Sequence, residues 1–230
     1  MAKGPQAPEK KGTGRRGESY YSGSRDDLIP LIPPGAKHIL EVGCAAGMTG
    51  RRLRELGFRE VVGVEILEEV AQKAVPFYER VIVGDVEKTE LPYEEGYFDC
   101  ILYGDVLEHL VDPWKVLRVH NRFLKPGGAI ICSIPNVRHY KHMKKLLVRG
   151  EWEYCEAGIL DRGHLRFFTV KSIEAMVEEG GFEITRMIKR PSGAKWLKWL
   201  NRALGNRLID HLVRQYLFLA VKKHQPAGTG

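Results

Sequence analysis

The sequence lacks a long hydrophobic run, paired cysteines and an apolar segment at its N-terminus. No stretch of the 230 residues approaches the roughly 18 apolar residues of a membrane span, and the first residues carry no apolar region of the kind that a secretory signal needs. The four cysteines are widely separated, without a C-x-x-C pair, which favours reduced core residues over zinc ligands or disulfides. We therefore expect a cytoplasmic protein without a transmembrane segment and without a bound metal.

Basic charge is unevenly distributed along the chain. Residues 1–18 carry five Lys and Arg against two Glu, residues 19–135 carry 13 against 18 acidic residues, and residues 136–230 carry 18 against nine, for a net charge of +7. Residues 1–18 have almost nothing to bury and are predicted to form a disordered tail, and residues 224–230 a flexible one. The basic C-terminal part fits either the steering of an anionic substrate or an ordinary solvated face.

Short apolar runs alternate with helical periodicity from residue 38 onward. Strands are expected at 38–43, 61–65, 80–84, 98–104, 128–134, 182–188 and 215–221, and helices at 67–74, 113–124, 137–149 and after 169. This alternation predicts an α/β fold with a mostly parallel, doubly wound sheet and helices on both faces. Residues 137–168 break the rhythm, so we expect a small cap inserted after the fifth strand.

The stretch from Ile39 to Gly50 organises the chain. It predicts a buried strand, a turn of small residues and a helix, a layout that lets backbone N–H groups face a nucleotide-like ligand. Glu65 stands 22 residues after Gly43, at the end of the next apolar run, where a carboxylate can accept both hydroxyls of a ribose. The dinucleotide fingerprint G-x-G-x-x-G fails, because Ala45 and Met48 occupy its second and third glycine positions.

The spacing Glu41-x-Gly43-x-Ala45-x-Gly47 resembles the first motif of class I S-adenosylmethionine-dependent methyltransferases, from which Ala45 departs by one methyl group. Further segments carry the same resemblance to a bacterial small-molecule and glycan group related to ubiquinone-pathway O-methyltransferases, namely residues 80–86, 98–113, 125–136 and 164–169. The resemblance implies a seven-stranded, Rossmann-like methyltransferase domain, which we place at 19–223.

The resemblance also implies S-adenosylmethionine as the cofactor and S-adenosylhomocysteine as its product. It assigns the ribose hydroxyls to Glu65 and the adenine amino group to Asp85, although either carboxylate could instead serve a turn or the surface. The cofactor-binding residues expected on this basis are Glu41, Gly43, Cys44, Ala45, Gly47, Glu65, Ile66, Asp85, Val86, Tyr103, Gly104 and Asp105.

Three histidines are candidates for catalysis. His109 follows the fourth strand, near the place where the methyl group should point, and a neutral imidazole there can take a hydroxyl proton. His139 and His164 lie in the predicted cap. A structural hydrogen bond is the alternative role for each of the three.

The absence of two sequence motifs excludes some classes of methyl acceptor. The residues after the fourth strand are not the N/D-P-P-Y/F of enzymes that methylate base amines, and they hold no Pro-Cys nucleophile. We expect O-methylation of a small, anionic metabolite or glycan. An RNA methyltransferase and a cofactor-binding regulatory or scaffold protein without turnover remain open. The stripe Trp196–Leu204 is compatible either with core packing or with peripheral contact to a membrane.

Overall fold

A computed structural model describes residues 23–193 and 195–223, so both predicted tails, 1–18 and 224–230, lie outside the described residues. The strands in the described part are β1 His38–Val42, β2 Glu60–Glu65, β3 Arg80–Val83, β4 Phe98–Gly104, β5 Leu124–Pro135, β6 Phe182–Pro191 and β7 Val213–Lys222. The α-helices are α1 Met48–Glu55, α2 Glu68–Ala74, α3 Pro113–Asn121, α4 Tyr140–Arg149, α5 Val170–Glu179, α6 Lys195–Ala203 and α7 Ile209–Leu212. Short 3-10 helices lie at Ile29–Leu31, Val75–Phe77 and Leu107–His109.

The seven strands form one sheet in the order β3-β2-β1-β4-β5-β7-β6. Strands β1 to β5 pair in parallel, and β7 runs antiparallel to both β5 and β6. The predicted mostly parallel, Rossmann-like sheet is therefore confirmed. The strand order reverses between β1 and β4, and the carboxyl ends of these two strands flank the crevice where open sheets of this kind bind ligands.

Both faces of the central strands are buried. Leu40 and Ile101 belong to the core cluster on one face, and Ile39 and Leu102 to the cluster on the other. Successive side chains of a strand point to opposite faces, so near-continuous apolar runs such as those of β1 and β4 are what a sheet covered on both sides requires.

Two element boundaries differ from the sequence expectation for identifiable reasons. Helix α4 begins at Tyr140, not at 137, because the amide of Asn136 donates to the carbonyls of Asp210 and Val213 while its oxygen accepts from the N–H of Arg138. Those bonds hold residues 136–138 in a turn. Strand β5 starts at Leu124 rather than 128, because Leu124 already pairs with Phe98 ahead of a register irregularity against β4, and α3 is correspondingly shorter.

Helix α6 carries exposed tryptophans. Trp196 is 64% exposed and Trp199 is 70% exposed, whereas Asn201 is buried and bonds with Asn206 and the N–H of Leu208. The two indole rings therefore lie outside the core, and contact with a membrane surface stays a prediction. Among the helices of the described ranges, none is long and apolar enough to cross a membrane.

Asp99 joins the amino-terminal ends of three strands. Its Oδ2 accepts from the backbone N–H groups of Lys37 and His38, both at 2.9 Å, and the ammonium of Lys125 donates to Oδ1 at 2.6 Å. Burial acts to raise the pKa of Asp99, but Lys125 and the two N–H groups outweigh it and hold this pKa well below its usual range. The carboxylate thus fastens β1, β4 and β5 at the edge opposite the crevice.

Replacing Asp99 with alanine is expected to lower the free energy of unfolding by about 1.5–3 kcal/mol, the range for hydrogen bonds to a charged group. Because the folded-state pKa is depressed, this stabilisation is present above the unfolded-state pKa of about 4 and is lost as the pH falls towards the folded-state value. Denaturant unfolding of wild type and Asp99→Ala across pH measures it, with the exposed Glu94→Ala as the control. A difference that widens on acidification would contradict this account.

Candidate active site

The loop after β1 turns through backbone conformations that favour glycine. Gly43 has a φ of 73°, Gly47 a φ of 86° and Ala45 a φ of 47°. A Cβ on Gly47 would stand 2.8 Å from the Cα of Ala74, so no side chain fits there. Ala45 adopts the left-handed region with its methyl group in place, which costs an L residue about 1–2 kcal/mol. The loop therefore keeps the tight turn of the motif despite the substitution.

Glu65 holds this loop in position. Its Oε2 accepts from the N–H of Ala45 at 3.0 Å, and its Oε1 accepts from the N–H of Leu67 at 3.1 Å. The side chain is buried, yet each carboxylate oxygen can accept a second hydrogen bond. Ile66, the next residue, is half exposed and offers an apolar surface beside the carboxylate. This pairing suits a ribose with its attached purine.

Glu41 and Cys44 lie below the loop surface. The Tyr78 hydroxyl donates to Oε2 of Glu41 at 2.6 Å and accepts from the N–H of Gly50 at 3.1 Å. Burial raises the pKa of Glu41 to about 7, against hydrogen bonds from Tyr78 and Thr49 that lower it. The backbone N–H of Cys44 donates to the end of β2, and its thiol is buried. Both residues fix the loop and the start of α1 from within, and no sequence signal had indicated Tyr78.

The loop after β3 lies beside the Glu65 backbone, because the N–H of Gly84 donates to the carbonyl of Glu65 at 2.9 Å. Asp85 accepts from the N–H of Glu87 at 3.1 Å and lies 3.3 Å from the Lys88 ammonium. Val86 packs against the main core cluster. Asp85 thus acts as a turn residue in the structure, and its role towards adenine stays a prediction.

Asp105 is the most heavily bonded residue at the exit of β4. Its Oδ2 accepts from the Arg25 guanidinium at 2.5 Å, and its Oδ1 accepts from Ser133 at 2.8 Å and from Gln215 at 2.5 Å. A Cβ on Gly104 would stand 3.0 Å from Arg25 Cγ, so the glycine makes room for this approach. Arg25 and Gln215 are 80 and 110 residues away in the chain, and local sequence patterns could not have indicated them.

The Tyr103 side chain points away from the crevice. It is fully buried, and its hydroxyl lies 2.7 Å from Nδ1 of His120. Burial lowers the pKa of His120 to about 4, so this neutral imidazole can accept the phenol proton. Of Tyr103, only the backbone can line the crevice.

The structure brings His109 and His164 together. Their ring centroids are 4.7 Å apart at an interplanar angle of 75°. Nδ1 of His109 lies 2.9 Å from the carbonyl of Gly163, and Nδ1 of His164 lies 2.9 Å from the carbonyl of Ile159. A carbonyl only accepts hydrogen bonds, so each Nδ1 carries a proton, and in the neutral imidazole each Nε2 carries a lone pair.

Glu108, which sequence analysis did not single out, completes this group. Oε1 of Glu108 lies 4.0 Å from Nε2 of His164, and its backbone carbonyl accepts from the N–H groups of Leu165 and Arg166. The carboxyl group is buried, and neither oxygen has a hydrogen-bond partner within the described ranges. Burial raises the pKa of Glu108 well above its usual range, and the nearby Asp105 carboxylate raises it further. Its position next to His109 was the one signal available.

His139 makes a different set of contacts. Its Nε2 lies 2.8 Å from the hydroxyl of Ser192, and its ring centroid is 4.7 Å from that of Tyr140. Burial lowers its pKa to about 4. These contacts place it at the start of α4, where it joins the cap to the end of β6.

Several known proteins resemble this chain in sequence and in fold. Residues 15–186 match the family model described as a methyltransferase domain. The ubiquinone biosynthesis O-methyltransferase of Xanthomonas axonopodis pv. citri is 28% identical over 206 residues, covering 84% of this chain and 78% of that protein. The protein of the same name from Cereibacter sphaeroides is 31% identical over 163 residues, covering 68% of this chain and 64% of its own length.

A solved SAM-dependent methyltransferase from Archaeoglobus fulgidus has a TM-score of 0.64 with 18% identity, covering 89% of this chain and 97% of its own. At that identity the likeness establishes the shared fold. The family match, by contrast, spans well over half of the chain. The chain therefore belongs to the methyltransferase-domain family, within the class I S-adenosylmethionine-dependent methyltransferases.

Proposed function

We propose that the protein transfers a methyl group from S-adenosylmethionine to a hydroxyl of a small, anionic metabolite or glycan. The observation that carries the proposal is the fixed His109 imidazole, which the exit loop of β4 holds at the crevice. When bound, S-adenosylmethionine supplies a methyl group already activated by its sulfonium. The residues of this chain then have to position the two substrates in line and receive one proton.

The residues around Glu65 fit the donor. Its two buried carboxylate oxygens each retain an acceptor site after bonding to the backbone, which suits a pair of ribose hydroxyls. The start of α1 lies at the same edge of the sheet as Glu65, and its helix N-terminus and dipole favour a carboxylate. These groups would bind the nucleoside and the amino-acid ends of the donor respectively.

Replacing Glu65 with alanine is expected to weaken binding of S-adenosylmethionine and S-adenosylhomocysteine by about 1–3 kcal/mol, or roughly 5- to 150-fold, because buried hydroxyls lose their acceptor. Isothermal calorimetry measures the change, and NAD should not bind. The exposed Glu68→Ala, three residues along the chain, is the control. Tight NAD binding, or equal affinities for wild type and Glu65→Ala, would refute the assignment.

His109 is oriented to receive the acceptor proton. The carbonyl of Gly163 holds the Nδ1 proton, so the Nε2 lone pair is the basic site, and the short 3-10 helix Leu107–His109 fixes the ring at the exit of β4. A hydroxyl placed beside Nε2 can give up its proton as the new carbon–oxygen bond forms.

His109→Ala is expected to lower kcat about a hundredfold or more, because general-base assistance is lost, while the Kd of S-adenosylmethionine stays nearly unchanged. Steady-state rates and calorimetry on the same preparation separate the two effects. His142→Ala, a half-buried cap histidine outside this group, is the control. A wild-type kcat would leave positioning alone as the mechanism, and loss of cofactor binding would make His109 a structural residue of the crevice wall.

Cationic side chains favour an anionic acceptor. Arg190, which forms an ion pair with Asp27 at 3.0 Å, lies opposite Gln215 in the β6–β7 pairing. Gln215 in turn donates to Asp105, so this end of the sheet adjoins the exit loop. Arg214 is exposed at the start of β7, and Arg138 contacts His211 at 3.0 Å. Positive charge at the rim of a crevice attracts anions from solution.

With an anionic acceptor, kcat/KM is expected to fall as ionic strength rises, while cofactor affinity changes little, because salt screens exposed charges beyond about 10 Å. Arg214→Ala should lower kcat/KM at low salt and flatten this dependence. Arg118→Ala, which removes a cation paired with Glu179 on the flanking helices, should not. A salt-independent rate would show that these charges form an ordinary solvated face and do not steer the substrate.

The other two candidate functions predict different results. An RNA methyltransferase would retain RNA in a salt-sensitive way. A regulatory or scaffold protein would bind the cofactor without turnover of any acceptor. Screening cofactor turnover against a panel of hydroxylated metabolites and glycans therefore tests the proposal most directly.

A further inference from the structure

The carboxyl group of Glu108 is buried, and its hydrogen bonding is incomplete in the described part of the chain. It is 1% exposed, and no group within residues 23–193 and 195–223 donates a hydrogen bond to either oxygen. Leaving a buried polar group unsatisfied costs free energy, so such a group in a folded protein points to a ligand, an ion or a functional role. The neighbouring side chains determine which species could bind there.

The two neighbouring histidines are oriented as metal ligands are. A metal-bound histidine typically donates its second ring N–H to a carbonyl or a carboxylate, which fixes the tautomer and directs the other nitrogen at the metal. His109 and His164 both do so, through the carbonyls of Gly163 and Ile159. One ligand atom from each of Glu108, His109 and His164 lies within 4.8 Å of the other two.

We propose that Glu108, His109 and His164 bind a divalent transition-metal cation. Two imidazoles and one carboxylate are a ligand set that suits zinc, iron(II), cobalt or manganese, whereas magnesium prefers oxygen ligands throughout. Three protein ligands leave a coordination position open, as in catalytic metal sites. No metal was expected from the sequence, since the cysteines show no metal-binding spacing, and His164 is distant along the chain from the other two ligands.

Binding requires a modest contraction of the group. Ligand atoms about 2.1 Å from a tetrahedral ion stand roughly 3.4 Å from each other, which is less than the 4.8 Å limit observed. Glu108 and His109 lie on the exit loop of β4 and His164 lies in the cap, so the contraction draws the cap onto the exit loop. Backbone bonds from Leu165 and Arg166 to the Glu108 carbonyl already join these two segments.

The charges around the group favour a cation. Asp105 and Asp161 both act electrostatically on Glu108 as like charges, and Arg25 is the opposing cation. The guanidinium of Arg25 is itself engaged by the carboxylates of Asp27 and Asp105, which offsets its charge. A divalent ion would therefore enter a site with excess negative potential.

The role of this site in catalysis rests on the proposed function. A hydroxyl in the open coordination position would have its pKa lowered by the metal, so it would release its proton to solvent water more readily. The methyl group would then pass from the sulfonium sulfur to the oxygen, with S-adenosylhomocysteine as the leaving group. His109 would then act as a ligand that holds the metal beside the crevice. In the absence of metal, the Nε2 lone pair of His109 is the remaining base.

Direct titration of the full chain with Co²⁺ tests the site without any acceptor. The protein is treated with chelator, and Cys155→Ser is used as the background because Cys155 is exposed. We expect saturable binding with ligand-field bands and without a thiolate charge-transfer band. Glu108→Gln and His164→Ala should each weaken Co²⁺ binding about tenfold or more, and His142→Ala, in the same lobe, should not change it. Equal affinities in all four proteins, or no saturable binding by the background protein, would overturn the site.

Two further measurements separate this inference from the proposed function. Thermal unfolding with and without Zn²⁺ should show a metal-dependent rise in Tm that His164→Ala loses, which distinguishes a lost ligand from a misfolded variant. Undiminished methyl transfer in excess chelator would overturn the catalytic role of the metal and leave the proposed function standing. Saturable Co²⁺ binding by a chain that does not bind S-adenosylmethionine would overturn the proposed function and leave the metal site standing.

Discussion

The carboxylate of Asp105 is the constraint on which the arrangement of the crevice depends. Arg25 reaches it from the segment before β1, Ser133 from β5 and Gln215 from β7, so one side chain ties together parts of the chain that are distant in sequence. The residue itself has a φ of 57°, a strained conformation that the surrounding bonds must stabilise. The exit loop of β4 therefore leaves the sheet in one direction, and Glu108 and His109 follow from it.

Much of the fold could be predicted from the sequence, because the relevant signals are local. The apolar runs of β1 and β4 and the Asp112–Pro113 helix start each lie within a few residues, and the structure places strands and a capped helix there. The antiparallel pairing of β7 and the early start of β5 had no such signal, since they depend on register between separate strands. In the crevice, Glu65 was visible as a carboxylate ending an apolar run. Tyr78, Arg25 and Gln215 act across long sequence separations and were not.

Ala45 shows how the tertiary structure overrides a local preference. The left-handed conformation disfavours a residue with a Cβ, yet Ala45 adopts it because its N–H donates to Glu65 and the adjacent N–H groups of Gly43 and Cys44 donate to β2. Glu65 is thereby committed to the protein backbone before any ligand binds. The carboxylate proposed to bind the ribose also holds the loop in one conformation, which would pre-organise the proposed donor site and reduce the entropic cost of binding.

The two halves of the crevice differ in how the chain builds them. The proposed donor half comes from consecutive loops after β1, β2 and β3, and its contacts are within one loop or between loops of neighbouring strands. The proposed acceptor half comes from the β4 exit loop, the cap and the ends of β6 and β7, and its contacts join residues more than 50 positions apart in the chain. Every enzyme that uses S-adenosylmethionine has to bind the same donor, whereas its acceptor site has to match one particular acceptor. The acceptor of this protein must therefore be inferred from its own cap, histidines and arginines rather than from the substrates that its relatives' names specify.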